Sequence, residues 1–138
     1  MVLVDYQYSF NYRQLQAGSF PIIQVRITRQ DEPDVGIDTD AYLDSGAERS
    51  LFNGQLLTAL EIELINAKPK PYGTTTGDSI TGYLHEVCLT VPDVGEFNLE
   101  IGFSGVQIRR NLLGRDFFNL VQIGFRERRL QYYLSTTP

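Results

Sequence analysis

Apolar and polar residues alternate with a period of two along most of the chain. The clearest segment covers residues 96–103, where Phe97, Leu99 and Ile101 alternate with polar or small residues. The same alternation recurs at residues 5–12, 23–28, 121–125 and 130–134. Successive side chains of a β-strand point to opposite faces, so a strand with this pattern buries one face and exposes the other. Because turn-forming residues separate the segments, the pattern predicts an all-β fold of mainly antiparallel strands.

Two stretches depart from this period. Residues 54–62 follow a suitable N-cap at Asn53 and place Leu56, Leu57 and Leu60 at helical spacing, which predicts a helix. Residues 115–120 predict a short helical turn. The sequence of 138 residues shows no internal repeat, low-complexity segment or linker. We therefore predict one compact domain over residues 1–138, all-β with one or two short helices.

Composition narrows the function classes. With 12 Lys and Arg against 17 Asp and Glu, the net charge is −5, which disfavours nucleic acid as a partner. No run of about 18 apolar residues is present, so no membrane partner is expected. The single cysteine, Cys88, excludes an intramolecular disulfide, fits a reducing compartment and predicts a cytoplasmic protein. One His and one Cys are too few soft ligands for a structural zinc site.

A serine hydrolase is a poor interpretation of the remaining polar motifs. Gly77-Asp78-Ser79 is similar to the nucleophile motif of one serine hydrolase family, and His85 is the only histidine available as a base. That family carries its histidine near the C-terminus in an Asp-x-x-His element, which is missing here. Since a serine nucleophile depends on an oriented base, we interpret His85 as a strand residue.

The sequence Asp44-Ser45-Gly46-Ala47 is the strongest candidate for chemistry. Asp-Ser-Gly alone is a common turn, but this one directly follows a predicted strand at residues 40–43. Further along, residues 112–116 read Leu-Leu-Gly-Arg-Asp before the second predicted helix. Between the two motifs, residues 72–83 are rich in Gly and Thr and predict a hairpin able to fold over a cleft.

Taken in this order, these motifs resemble the retropepsin-like aspartic proteases, the single-domain relatives of pepsin. The resemblance covers residues 20–134 and leaves residues 1–19 as an N-terminal extension or an added strand. It implies an acid-protease barrel in which Asp44 is the catalytic carboxylate, Ser45 braces the loop and Gly46 lets substrate approach. It also implies a substrate-binding set, Ala47, Thr76, Gly77, Asp78 and Ser79, with the last four in a hairpin flap. Glu48, Arg115, Leu113 and Gly114 are implied as structural support, the first two as an ion pair.

The chemistry of the family requires two carboxylates. Two such groups held about 3 Å apart share one proton, so one acts as general base and the other as general acid without a metal or cofactor. This chain contains a single Asp-Ser-Gly, so the resemblance implies a homodimer in which each chain contributes Asp44. The expected substrate is an extended peptide or protein.

Two other interpretations stay open at this stage. Asp78 at the tip of the hairpin departs from the Gly-rich flap of the family, which would suit a dimerisation or peptide-binding module of the same fold with little turnover. Alternatively, an unrelated small β-barrel would use Asp-Ser-Gly only as a turn. The sequence also leaves open which end of the chain would build the dimer sheet.

Overall fold

The computed structural model of the chain describes residues 1, 3–64 and 66–136, and most of its regular structure is β-strand. The strands are β1 (Tyr8–Asn11), β2 (Arg13–Leu15), β3 (Gly18–Phe20), β4 (Ile22–Arg29), β5 (Gly36–Leu43), β6 (Leu51–Asn53), β7 (Lys68–Gly73), β8 (Ser79–Val91), β9 (Gly95–Ser104), β10 (Leu112–Leu113), β11 (Gln122–Arg126) and β12 (Gln131–Ser135). The helices are α1 (Leu56–Ala59), α2 (Arg115–Phe118) and a 3-10 turn at Glu127–Arg129. The predicted all-β fold with one or two short helices is confirmed, since the structure has two.

Six strands close into a barrel in the order β4-β5-β10-β6-β9-β8, because β8 also pairs with β4. The long hairpin of β8 and β9 contributes ten residue pairs in antiparallel register, from Gly82↔Ser104 to Val91↔Gly95. Two short strand pairings are parallel, namely β10 with β5 and β6 with β9. The apolar faces predicted from the alternation fill the interior, where Val25, Ile27 and Phe103 are fully buried.

A second sheet joins the two ends of the chain, with strand order β1-β12-β11. Strand β1 pairs antiparallel with β12, so that Tyr8 lies opposite Leu134 and Phe10 opposite Tyr132. The Tyr132 ring is buried, and its hydroxyl donates to the carbonyl oxygen of Ile22 at 3.1 Å. The alternating N-terminal segment is therefore a strand that packs on the barrel of its own chain.

The first helix is shorter than the predicted span of 54–62. The Oδ1 atom of Asn53 accepts a hydrogen bond from the backbone N–H of Gln55 at 3.2 Å, so a turn occupies the start of the predicted helix. At the other end, Glu61 adopts φ +57°, a left-handed conformation that ends the helix. Leu57 and Leu60 are buried, as their spacing predicts. Among the described residues no helix has the length and apolar character needed to cross a membrane.

Candidate active site

Asp44 directly follows β5 and begins a tight turn. Its backbone N–H donates to the carbonyl oxygen of Leu113 at 2.9 Å, which ties the turn to the neighbouring strand β10. The Gly46 N–H donates to Asp44 Oδ1 at 2.8 Å, and the Ala47 N–H donates to the Asp44 carbonyl oxygen at 3.2 Å. Oδ2 takes part in none of the hydrogen bonds within the described residues. The half-buried carboxylate is therefore held through one oxygen and leaves the other available to a ligand.

Residues 113–115 support the turn through backbone hydrogen bonds. The Arg115 N–H donates to the Ala47 carbonyl oxygen at 2.8 Å. Gly114 is buried, and a Cβ atom there would lie 2.5 Å from the same carbonyl oxygen. A side chain at Gly114 would therefore push the loop away from its support. The sequence-predicted supporting residues Leu113 and Gly114 do contact the Asp44 loop.

Sequence reasoning missed the pair that anchors the end of this loop, Ser50 and Asp116. Ser50 is fully buried, and its hydroxyl accepts from the Gly114 N–H at 3.0 Å while donating to Asp116 Oδ1 at 2.7 Å. The Ser50 N–H donates to Asp116 Oδ2 at 2.9 Å. Because hydrogen bonds to a carboxylate are stronger than neutral ones, this pair fixes the position of α2 beneath the loop. Ser50 belongs to no motif in the sequence, so no local signal could have found it.

The predicted hairpin is formed by β7 and β8. At its tip, the Thr74 N–H donates to the Asp78 carbonyl oxygen at 2.9 Å, and Gly77 adopts φ +88°. The Thr74 hydroxyl donates to the same oxygen at 2.9 Å, and the Thr76 hydroxyl lies 3.5 Å from Asp78 Oδ2. All four predicted tip residues are exposed, namely Thr76, Gly77, Asp78 and Ser79. The tip is therefore a closed turn held by its own hydroxyl groups.

Tyr72 connects the base of this hairpin to the Asp44 loop, a link that the sequence did not reveal. Its ring lies against two glycines, since a Cβ on Gly82 or Gly102 would come within 2.4 and 2.2 Å of Tyr72 atoms. Its hydroxyl donates to the Ser50 carbonyl oxygen at 3.2 Å. Burial, followed by the nearby charge of Asp116, raises the pKa of Tyr72 to about 12. Tyr72 therefore stays neutral and able to donate this hydrogen bond at any physiological pH.

A cavity of about 280 Å³ separates the Asp44 loop from strand β7 of the hairpin. Gly46 and Ala47 line it on the loop side, and Lys70 and Tyr72 line it on the hairpin side. The structure thus brings the predicted loop residues together with the base of the hairpin. The tip, residues 76–79, does not line this cavity.

Comparison with known proteins addresses the fold. No protein-family model matches the sequence, and no curated protein sequence matches it. Solved structures that are similar over most of their length include two proteases. One is a retropepsin-like aspartic protease from Rickettsia conorii, with a TM-score of 0.66 and 13% identity, covering 96% of this chain and 98% of that one. The other is the EIAV protease complexed with the inhibitor HBY-793, with a TM-score of 0.54 and 16% identity, covering 76% and 90%. The chain has the retropepsin-like fold.

Within this retropepsin-like fold, two predicted contacts of the loop are not made. The ion pairs among the described residues join Arg13 with Asp40, Arg26 with Asp38, Arg29 with Asp31 and, at 3.9 Å, Arg49 with Glu100. Glu48 and Arg115 are both exposed and are not paired in this part of the chain, so the predicted ion pair between them is wrong here. Ser45 is also exposed, and its hydroxyl makes no hydrogen bond to the described residues. The carboxylate turn is instead held by Leu113 and by the Ser50–Asp116 pair.

Proposed function

We propose that the chain is one protomer of a homodimeric aspartic endopeptidase. The observation that carries the proposal is Asp44, a carboxylate held in a tight turn at the exit of β5, with one oxygen free, on a retropepsin-like fold. The chain supplies one such turn, while hydrolysis by this chemistry needs two carboxylates. A second copy related by a two-fold axis would bring the partner carboxylate.

In this proposal the two Asp44 side chains activate a water molecule. One ionised carboxylate takes a proton from the water, and the protonated one donates a proton to the substrate as the peptide bond is attacked. The pair does this work without a metal or a cofactor. Ser45 was expected to brace the loop within its own chain; since its hydroxyl makes no hydrogen bond to the described residues, its proposed role is to brace the loops across the dimer. Gly46 leaves its backbone open to the substrate because it carries no side chain.

The substrate is proposed to be an extended peptide. It would lie between the Asp44 loop, with Ala47, and the hairpin, whose segment 77–82 acts as a flap with Thr76, Gly77, Asp78 and Ser79 near the substrate. An extended chain offers backbone groups for main-chain hydrogen bonds and alternate side chains for pockets. The cavity between Gly46 and Lys70 is one such pocket.

A peptide-binding module with little turnover is the second candidate. The observation that favours it is the tip of the hairpin, which is closed by its own hydroxyl groups and carries the Asp78 carboxylate. A charged and closed tip would hinder closure over a substrate. Cleavage of an unfolded protein, with inhibition by pepstatin, would exclude this candidate.

The decisive test compares wild type with Asp44→Asn on a denatured protein substrate from about pH 3 to pH 8. The variant keeps the size of the side chain but removes the ionisable group from both halves of a dimer, so cleavage should be lost at every pH. Wild type should show a bell-shaped pH profile, because one carboxylate must be ionised and the other protonated. Asp34→Asn, an exposed turn carboxylate, is the matched control and should behave as wild type. Equal cleavage by wild type and Asp44→Asn would mean that the turn has no catalytic role.

A mixing experiment tests the shared site separately. When Asp44→Asn chains are added in excess to wild type, mixed dimers form that carry a single ionisable carboxylate. Activity should then fall in proportion to the fraction of mixed dimers, and activity per chain should also fall on dilution of wild type alone. Undiminished activity in a large excess of the variant, or from a demonstrated monomer, would exclude the two-chain site.

A further inference from the structure

The cavity between the Asp44 loop and the hairpin carries an excess of positive charge. Its charged lining residues are Glu48 and Arg49 on the loop side and Lys70 on β7. Leu51, Pro71 and Leu112 add an apolar lining. Two cations and one carboxylate therefore surround a small, partly apolar space in a chain whose net charge is −5.

The two cations are poorly neutralised from within the chain. Lys70 is half-buried, yet none of the ion pairs among the described residues includes it. Arg49 approaches Glu100 only to 3.9 Å, and the two side chains are 43% and 46% exposed, so this pair is weak. Removing a cation from water without a partner is unfavourable, and an anionic ligand would relieve that cost.

Lys68 shows what an ordinary lysine on this strand looks like. It stands two residues before Lys70 on β7 and therefore points to the same face of the strand. Lys68 is exposed and does not line the cavity. The burial of Lys70 is therefore a property of its position beside the cavity.

We propose that Lys70, assisted by Arg49, binds an acidic side chain of the substrate in this cavity. The inference rests on the proposed peptidase function and names the class of peptide that the site selects. The ammonium group of Lys70 donates to the carboxylate of a substrate Glu or Asp, while Leu51, Pro71 and Leu112 contact its methylene groups. Glu48 belongs to the opposite wall and discourages a second acidic residue from entering.

The test uses peptides that differ only by Glu, Gln or Lys at one position, placed in turn at each position around a cleaved bond. For wild type, kcat/KM should be about tenfold higher for the Glu peptide at one position. Lys70→Gln should abolish this preference, Lys70→Glu should reverse it in favour of Lys, and Lys68→Gln should leave it unchanged. The preference should also weaken as the salt concentration rises.

Binding of the same peptides to the Asp44→Asn variant, followed by fluorescence polarisation, separates the inference from the proposed function. If wild type cleaves peptides but shows no Glu preference, or if Lys70→Gln retains it, the inference is overturned and the peptidase proposal stands. If no peptide is cleaved but Glu peptides bind more tightly and lose that advantage in a Lys70→Gln background, the peptidase proposal fails and the acidic pocket stands. Equal binding of Glu and Gln peptides without cleavage would overturn both.

Discussion

Replacement of Ser50 by alanine removes the hydroxyl that joins the Asp44 loop to α2. This hydroxyl accepts from the buried Gly114 N–H at 3.0 Å and donates to Asp116 Oδ1 at 2.7 Å. Asp116 keeps two other donors after the change, the backbone N–H groups of Ser50 and Phe117 at 2.9 and 2.8 Å. The carboxylate is therefore not stranded, whereas the Gly114 N–H loses its partner in a buried position.

The lost hydrogen bond to Asp116 and the unpaired Gly114 N–H together determine the expected loss of stability. A hydrogen bond to a charged group contributes about 1.5 kcal/mol at the lower end of its range, and a buried unpaired N–H costs a similar amount. Ser50→Ala should thus lower the free energy of unfolding by about 3 kcal/mol. With about 2.1 cal/mol/K of unfolding entropy per residue, a chain of 138 residues should lose roughly 10 °C in Tm.

Thermal and urea unfolding at one fixed protein concentration would measure this, since dimer formation makes Tm depend on concentration. Ser9→Ala, at an exposed position in β1, is the matched control and should change stability by less than about 0.5 kcal/mol. A double-mutant cycle with Asp116→Asn should show coupling of about 1 kcal/mol or more. A Ser50→Ala protein with the Tm of wild type would refute the assignment of Ser50 as the anchor of the loop.

Three further predictions concern residues outside the loop. Burial and the Glu127 carboxylate at 2.9 Å raise the pKa of Tyr12 to about 12, so its stabilising neutral form is lost between pH 10 and 12. Urea midpoints over that range should fall more steeply for wild type than for Tyr12→Phe. Burial lowers the pKa of His85 below 6.5, so the unfolded state binds more protons and stability falls as pH drops through 6.5. His85→Gln should flatten that part of the urea-midpoint profile, and an identical slope would contradict the reasoning. Gly102→Ala would place a Cβ 2.2 Å from the Tyr72 hydroxyl oxygen, so it should cost at least about 1 kcal/mol in urea unfolding.

The long strands were predictable because each one buries a single face of the sheet. Strand β9 shows this, since Phe97 and Leu99 alternate with polar residues as the pleat requires. Strands β6 and β10 have only three and two residues and cannot display a period. They are strands because they pair with neighbouring strands of the barrel. Strand β10, for example, pairs with both β5 and β6. The helix predicted at residues 54–62 was too long, because the spacing of leucines gives no sign of the left-handed conformation at Glu61 that ends it.

The sequence motif of the candidate site could be predicted, but the hydrogen bonds that hold its loop in place could not. Asp44 was recognised as a candidate because Asp, Ser and Gly follow one another directly after a predicted strand. The hydrogen bonds of Ser50 to Asp116 join residues 66 positions apart, and the Tyr72 hydroxyl reaches across 22 positions to Ser50. These residues become neighbours only when the barrel closes, so their contacts leave no pattern in the local sequence. The predicted ion pair between Glu48 and Arg115 was wrong for the same reason. A sequence motif specifies the residue types but not the distance between their side chains.

Ser50 also shows how the hairpin and the loop depend on each other. Its carbonyl oxygen accepts from both the Tyr72 hydroxyl and the Gly102 N–H at 3.2 Å, while its hydroxyl and N–H hold Asp116. One buried residue directly before β6 therefore joins the hairpin, β9 and α2. These contacts exist only once β6 lies between β9 and β10, which are distant in sequence. Because the same contacts hold the support of the Asp44 turn, the free carboxylate oxygen reaches its position only when the barrel closes, and a turn of the same sequence in an open peptide would lack it.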